Sequence, residues 1–267
     1  VRSAAEQLAE LRAIKSAAEI AALRRVAALS AQALLAGMQA LKPGRSQREA
    51  EGEVVSACLR GGAEGPSFWP WVMTGPNAVF PAPFASFADY RHLNRVMRAG
   101  ELARVDVGCA GDHYEGDVGR TAPVSGRFDP GQRETWELLV RAYRAGLAVL
   151  RDGVKTEEVF AASRREIEQQ RASVKTELGK KAVAVLLGEG GLRFWQIHGV
   201  GLESAEGLPP ILQAGMVVAV EPIFSVENQG FYLEDMVLIT REGHEILTKG
   251  LPYSADEVER AVGTKRK

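Results

Sequence analysis

The sequence predicts an α+β fold made of two similar halves, and three observations predict it. Apolar residues recur at helical spacing over long stretches of the first and middle parts of the chain. Runs rich in β-branched residues, LARVDVG, MVVAVEPI and FYLEDMVLI, read as strands. Each half also runs long helix, glycine turn, helix, then strands, and the stretches SAQALLAGMQALKPGRS and VRAYRAGLAVLRDGVKT are alike enough to suggest a weak internal repeat. The 267 residues are enough for one large domain or two small ones. The expectation is a single domain over 1–267 whose halves cover about 1–125 and 126–267. The strands would form one curved surface with the helices outside.

The elements follow in order. Leu8, Leu11, Ile14, Ile20, Leu23, Val26 and Leu29 place a long helix, or two, over about residues 6–40, and KPGR at 42–45 stops it. Ser46 with Glu49 three residues on is a capping-box signature for the next helix, which runs through Cys58. Residues 61–88 are rich in Gly, Pro and aromatics and read as loops and short strands, with SFWPWVMTG a strand near a site or core. Residues 102–108 read as a strand ending in a turn. Trp136, Leu139, Tyr143 and Leu147 line one face of a helix over 132–151, which DGVK stops. Thr156 is a plain N-cap, because Val159 rules out a capping box there, and its helix reaches about Leu178. The polar run over 161–181 reads as a solvated helix and loop. Strands are expected at 216–223, 231–239 and 245–248.

Composition excludes several functions. The chain holds 33 basic and 34 acidic side chains, a net charge of -1, with no concentrated basic patch, so nucleic acid is not an expected partner. No uninterrupted apolar run approaches ~20 residues, so no transmembrane helix is expected. The opening VRSAAEQLAELR is amphipathic rather than a signal peptide, and a start at Val1 reads as processed or trimmed. Cys58 and Cys109 are the only cysteines; they imply no disulfide framework and point to a reducing, cytoplasmic location.

Five polar residues carry the chemistry. Asp106 lies in VDVG, Asp117 follows eleven residues later, His198 lies in IHGVG, Glu221 in VEPIF and Glu234 in YLEDMV. Most stand in or beside apolar strand-like segments, where a charge is costly unless paired or metal-bound. Converging carboxylates repel one another, and divalent cations remove that repulsion. One His with four carboxylates is a mostly hard set suited to Mn²⁺, Co²⁺, Fe²⁺ or Zn²⁺. Two such ions sharing carboxylates would stand about 3.5–4 Å apart around a water. The alternative is ordinary buried salt bridges with Arg104, Arg120 and Arg193. Pro222 restricts Glu221 to extended backbone, which aims its carboxylate reproducibly.

Around these residues the chain resembles a known family. The matching stretches are LRAIKSAAEIA from Leu11, TGPNA from Thr74, RHLNRVMRAGELARVDVG from Arg91, YEGDVGRT from Tyr114, HGVGLE from His198, VEP at 220–222 and LEDMVLIT from Leu233. Together they span nearly the whole chain, and they are similar to the catalytic domain of the "pita-bread" metallopeptidases, in the Xaa-Pro aminopeptidase and prolidase branch. The resemblance implies the pita-bread fold and a centre of two divalent metal ions. It implies that Asp106 chelates one ion, that Asp117 and Glu234 bridge both, and that His198 and Glu221 complete the other. A bridging hydroxide would attack the scissile carbonyl of a small peptide, with Glu221 as proton acceptor. The resemblance also implies a homodimer, and the N-terminal domain of longer relatives is expected to be absent.

The chain departs from that pattern in places. Ala82 and Ala205 stand where the family places its two usual catalytic histidines, so both are expected to be replaced by Ala, and Ile197 stands where a Gly is usual. His113, four residues before Asp117, is the candidate to compensate as a catalytic residue; His92 and His244 read as solvent-facing. Asn77 shapes a turn or touches substrate, and Phe68, Trp69, Trp71, Phe80, Phe84 and Phe87 line an apolar pocket or pack in a core. The expected function is a dinuclear Xaa-Pro aminopeptidase-like hydrolase, weak or altered. The alternatives are a metal-dependent lyase or amidohydrolase on another small substrate, and a non-enzymatic metal-binding interaction module.

Overall fold

The computed structural model describes residues 5–79, 94–188 and 195–263. The first apolar pattern resolves into two helices, α1 (Ala5–Ala13) and α2 (Ala17–Ala40). Ser16 separates them: its Oγ accepts from the Glu19 amide at 3.4 Å, and the Glu19 carboxylate accepts from the Ser16 amide at 2.8 Å. This reciprocal cap starts a helix inside a continuous apolar periodicity. By length and composition α2 could cross a membrane, contrary to the expectation from sequence, but just over half of its apolar window is buried within the fold. Leu23, Val26, Leu34 and Met38 are fully covered. Helix α3 (Gln47–Arg60) begins on the capping box of Ser46 and Glu49 that the sequence predicts.

Helix α4 (Pro130–Leu147) begins on a capping box of Asp129 and Gln132. Thr156 is not the cap of α5 (Thr156–Gln170). Lys155 holds that position, and its amide donates to the Glu158 carboxylate at 3.0 Å. The helix expected to reach Leu178 ends at Gln170. A 3₁₀ turn follows, then α6 (Glu177–Leu187), capped by Thr176, whose Oγ1 accepts from the Gly179 amide. Glu134 of α4 accepts from the amides of Lys175 and Thr176 and pins this break. Part of the run read as solvated packs: Ala162, Ser163 and Ile167 are buried. The last element among the described residues is α7 (Ala255–Gly263).

The strands are β1 (Gly65–Pro66), β2 (Trp71–Thr74), β3 (Leu102–Val107), β4 (Cys109–Gly111), β5 (Tyr114–Glu115), β6 (Val118–Pro123), β7 (Trp195–Gly199), β8 (Val217–Val226), β9 (Gln229–Ile239) and β10 (His244–Ile246). Strands β1, β4 and β5 make a small sheet. The main sheet is curved and antiparallel, in the order β2-β3-β6-β9-β8-β7, with β10 beside β9. Helices pack against it: α2 against β3 and β6, α4 against β9, and α6 against β8. The three strands drawn from early in the chain meet those drawn from late in it at β6–β9.

The two cysteines correct the sequence reading. Cys58 at the end of α3 and Cys109 at the start of β4 form a disulfide, with Cα atoms 5.5 Å apart. Fifty-one residues separate them along the chain, so only the packing of α3 onto the turn after β3 brings them together. The inference to a reducing compartment rested on unpaired thiols and loses that support.

Candidate metal centre

Register builds the site. Trp71 pairs with Asp106, Asp106 with Gly119, and Gly119 with Glu234. On β8, Val220 pairs with Asp235 and Ile223 with Tyr232, so Glu221 falls opposite Glu234; Gln196 of β7 pairs in turn with Glu221. One row thus crosses six strands and carries Asp106, Glu234 and Glu221. Directly opposed residues share a face. His198 lies two residues beyond Gln196, and Asp117 two before Gly119, so alternation brings both to that same face.

The distances show convergence. Nε2 of His198 stands 3.1 Å from Oε1 of Glu221, 3.9 Å from Oδ2 of Asp117 and 4.0 Å from Oε1 of Glu234. Ligand atoms of Asp117, His198 and Glu234 all lie within 4.8 Å of one another. Nδ1 of His198 is 3.0 Å from the Gly199 carbonyl, which can only accept, so Nδ1 carries a proton and orients the ring. The Tyr232 hydroxyl donates to Oε2 of Glu234 at 2.6 Å, while the buried Oε1 of Glu234 has no hydrogen-bond partner among the described residues. Asp106 lies beside Arg104, with Oδ2 3.4 Å from Nη2.

The electrostatics are those of a site short of positive charge. Burial raises Asp106 to about 7; Arg104 opposes the rise and the charge of Glu221 adds to it. Burial and the charge of Asp106 push Asp117 well above the carboxylate range, and burial with Asp117 and Glu221 does the same to Glu234. Burial alone would lower His198, but its hydrogen bond to Glu221 and the charges of Glu221 and Asp117 prevail and raise it to about 9. Without a cation, protons must serve as the counter-charge. An orphaned buried carboxylate oxygen beside a His nitrogen and further carboxylates fits a divalent ion.

The expectation of a centre whose two usual catalytic histidines are replaced by alanine is corrected by this geometry. Asp117, His198 and Glu234 form an intact, unmutated metal-binding triad. Position 82 lies outside the described residues, as do His92, Phe80, Phe84, Phe87 and Arg193. Ala205 lines the cavity beside the triad rather than forming part of it.

The site opens into a cavity of about 310 Å³ lined by Phe68, Trp71, Arg104, Asp106, Asp117, Gln196, His198, Ser204, Ala205, Glu221, Ile223 and Tyr232. His113 is not among these residues. It is exposed and, with Asp112, takes positive φ (66° and 53°) at the two-residue tip of the β4–β5 hairpin. Such a tip needs left-handed backbone at both central positions and holds the imidazole out in solvent. Arg120 does not reach Asp117 but braces the sheet: its guanidinium donates to the Gly119 and Glu234 carbonyls and pairs with Asp235 at 3.0 Å on the far face of β9. Asn77 points to Gln47, its Nδ2 3.3 Å from Oε1. Tyr232 and the cavity-facing side of Arg104 went unread in the sequence. The signal for both was spacing, since each lies two residues before a site carboxylate on its own strand.

Comparison with known proteins supplies context. Residues 21–241 match the model of metallopeptidase family M24. The chain is 30 % identical over 281 residues to an Xaa-Pro aminopeptidase of Escherichia coli, covering 97 % of this chain and 61 % of that protein. It is 27 % identical over 248 residues to an Xaa-Pro dipeptidase of Pyrococcus furiosus, covering 90 % of this chain and 64 % of that one. A solved structure of aminopeptidase P from Escherichia coli with the inhibitor Pro-Leu superposes with a TM-score of 0.83 at 27 % identity, covering 97 % of this chain and 62 % of that chain. The chain therefore has the pita-bread fold and spans less than two thirds of the length of these relatives.

Proposed function

The chain belongs to metallopeptidase family M24, and from that premise we propose that it is a metal-dependent hydrolase of Xaa-Pro peptides. The observation that carries the reading is the unpartnered, fully buried Oε1 of Glu234 beside Asp117 and His198. Those three residues would hold one divalent ion, and Asp106 and Glu221 would extend the set to a second. Bound there, such ions polarise a carbonyl and acidify a water.

The chain's own residues do the rest. Glu221, fixed in extended backbone by Pro222, holds Oε1 3.1 Å from His198 and is the proposed acceptor of the proton released when water adds to the scissile carbonyl. The Nδ1–H bond to Gly199 keeps the His198 ring in one orientation, and Tyr232 does the same for Glu234. Phe68 and Trp71, edge to face with centroids 6.3 Å apart, and Ile223 give the cavity an apolar wall suited to a proline ring. A small peptide is thus the proposed substrate and a second copy of the chain the proposed partner.

The test is release of the N-terminal amino acid from Xaa-Pro peptides by protein loaded with Mn²⁺, Co²⁺, Fe²⁺ or Zn²⁺, with metal content measured directly. Turnover that disappears with chelation and in Glu221→Ala supports the reading, and a content of two ions per chain supports the dinuclear set. Protein of verified metal content that leaves every Xaa-Pro peptide intact would overturn it.

A further inference from the structure

Two arginines are fully buried among the described residues, and they are opposites. Arg120 donates from Nε, Nη1 and Nη2 to Pro252, Gly119, Glu234 and Asp235. Arg104 is 2 % exposed, yet its Nε and Nη1 have no hydrogen-bond partner among the described residues. Its one polar contact among the described residues is the long 3.4 Å approach of Nη2 to Asp106. The guanidinium packs over the rings of Trp71 and Tyr232, at 5.3 and 5.0 Å from their centroids. All three side chains line the cavity that holds the acidic centre. An arginine stays charged at any working pH, and burying it with idle donors is costly. Aromatic contacts offset part of that cost and hold the guanidinium, but they leave in-plane N–H groups for an acceptor.

We propose that Arg104 is the carboxylate anchor of this cavity and makes the protein selective for Xaa-Pro dipeptides over longer Xaa-Pro peptides. The proposal rests on the hydrolase reading above and names its substrate class. In a dipeptide only one Cα separates the scissile nitrogen from the terminal carboxylate. A substrate whose carbonyl lies at the acidic centre therefore brings an anion to the neighbouring wall. In a longer peptide that position is a neutral amide carbonyl, a weaker acceptor for arginine. The cavity agrees, since about 310 Å³ is at the lower end of the roughly 300–1,000 Å³ of small-molecule sites. Asp106 does not substitute for the missing partner, because one long contact leaves two nitrogens unused.

The experiment compares Ala-Pro with Ala-Pro-amide in metal-loaded wild type, Arg104→Met and Arg104→Lys, and measures binding of proline and prolinamide calorimetrically in each. The wild type is expected to favour the free acid by about ten- to a hundredfold, chiefly through KM, and proline over prolinamide likewise. Arg104→Met is expected to lose both preferences, its loss of turnover falling about ten- to a hundredfold more heavily on the acid than on the amide; Arg104→Lys, charged but without the planar fork, is expected to keep only part of them. If Arg104 only balances the charge of Asp106, the variants will lose acid and amide turnover equally together with metal, and the proposal fails. Equal cleavage of acid and amide by the wild type overturns the anchor and leaves the hydrolase reading standing. If neither is cleaved the hydrolase reading falls, and the proline titration alone decides the anchor. Should Arg104→Met not fold, Arg104→Lys carries the comparison.

Discussion

A Cβ on Gly119 would stand 1.9 Å from Cε1 of Tyr232. The ring of Tyr232 fills the space where β6 lacks a side chain, and its hydroxyl donates to Glu234, the residue paired with Gly119 in the register. Glycine at this position thus lets a tyrosine from the neighbouring strand lie over the sheet and steer a ligand. Gly119→Ala is expected to displace the ring and lower metal affinity by about 10- to 100-fold, the usual effect of losing a partner behind a ligand. Competition with a chromogenic chelator would measure this. Tyr232→Phe should give a similar loss without the steric clash, and unchanged affinity in both would show that the hydroxyl does not orient Glu234.

Asp235, next to Glu234 but on the opposite face of β9, anchors that strand. It accepts from Arg120, the Tyr143 and Tyr253 hydroxyls at 2.9 and 2.8 Å, and the Thr248 hydroxyl at 2.7 Å. Both members of the Arg120–Asp235 pair are fully buried. Asp235→Asn leaves the buried guanidinium without its counter-charge and is expected to cost about 3–5 kcal/mol in urea unfolding. The exposed pair Arg133–Asp256, at 39 % and 66 % side-chain exposure, is the control: Asp256→Asn should stay within about 0.5 kcal/mol. Equal effects would mean the buried network contributes nothing special.

Local chemistry made parts of this molecule readable. The capping box at Ser46, the amphipathic run through Trp136 and Tyr143, and the strands around Asp106, Glu221 and Glu234 all depend on spacings a few residues long. What depended on packing was hidden. The Ser16 cap splits a periodicity that looks continuous, and Glu134 stops α5 from a position 41 residues before Lys175. The disulfide joins segments that only the tertiary fold brings together. His113 looked close to Asp117 because the distance along the chain is short, yet the hairpin turns it away. Arg104 was legible as a charge among strands but not as an idle one, because idleness is a property of its neighbours.

The disulfide itself carries a prediction. Closing a loop of 51 residues restricts the unfolded chain by about 4 kcal/mol in the chain-entropy model, with roughly 2–4 kcal/mol usual in practice. Equilibrium unfolding with and without reductant should differ by that amount. Thiol titration of the denatured protein should find no free thiol until reductant is added. Free thiols in the unreduced protein would show that the pair does not form.

The acidic centre predicts how stability depends on pH without metal. Asp106, raised from 3.8 to about 7, is more protonated in the folded chain than in the unfolded one between those values, so stability falls as pH rises through that window. Asp117 and Glu234 are shifted the same way. His198 contributes stability that is full below 6.5 and lost as pH rises through about 9. All four act in one direction, from about pH 4 to 9. Half-buried His244 is lowered by its burial and opposes them just below 6.5, and capping carboxylates such as Glu19 and Glu257 act only below 4.5. The difference between metal-loaded and metal-free protein cancels those remote groups. Metal binding needs deprotonated ligands and gains as protons leave. The gap in Tm between the two forms is therefore expected to widen steadily from about pH 5 to about pH 9, by several degrees for each kcal/mol gained. A gap that stays constant over that range would show that these four groups do not exchange protons for metal.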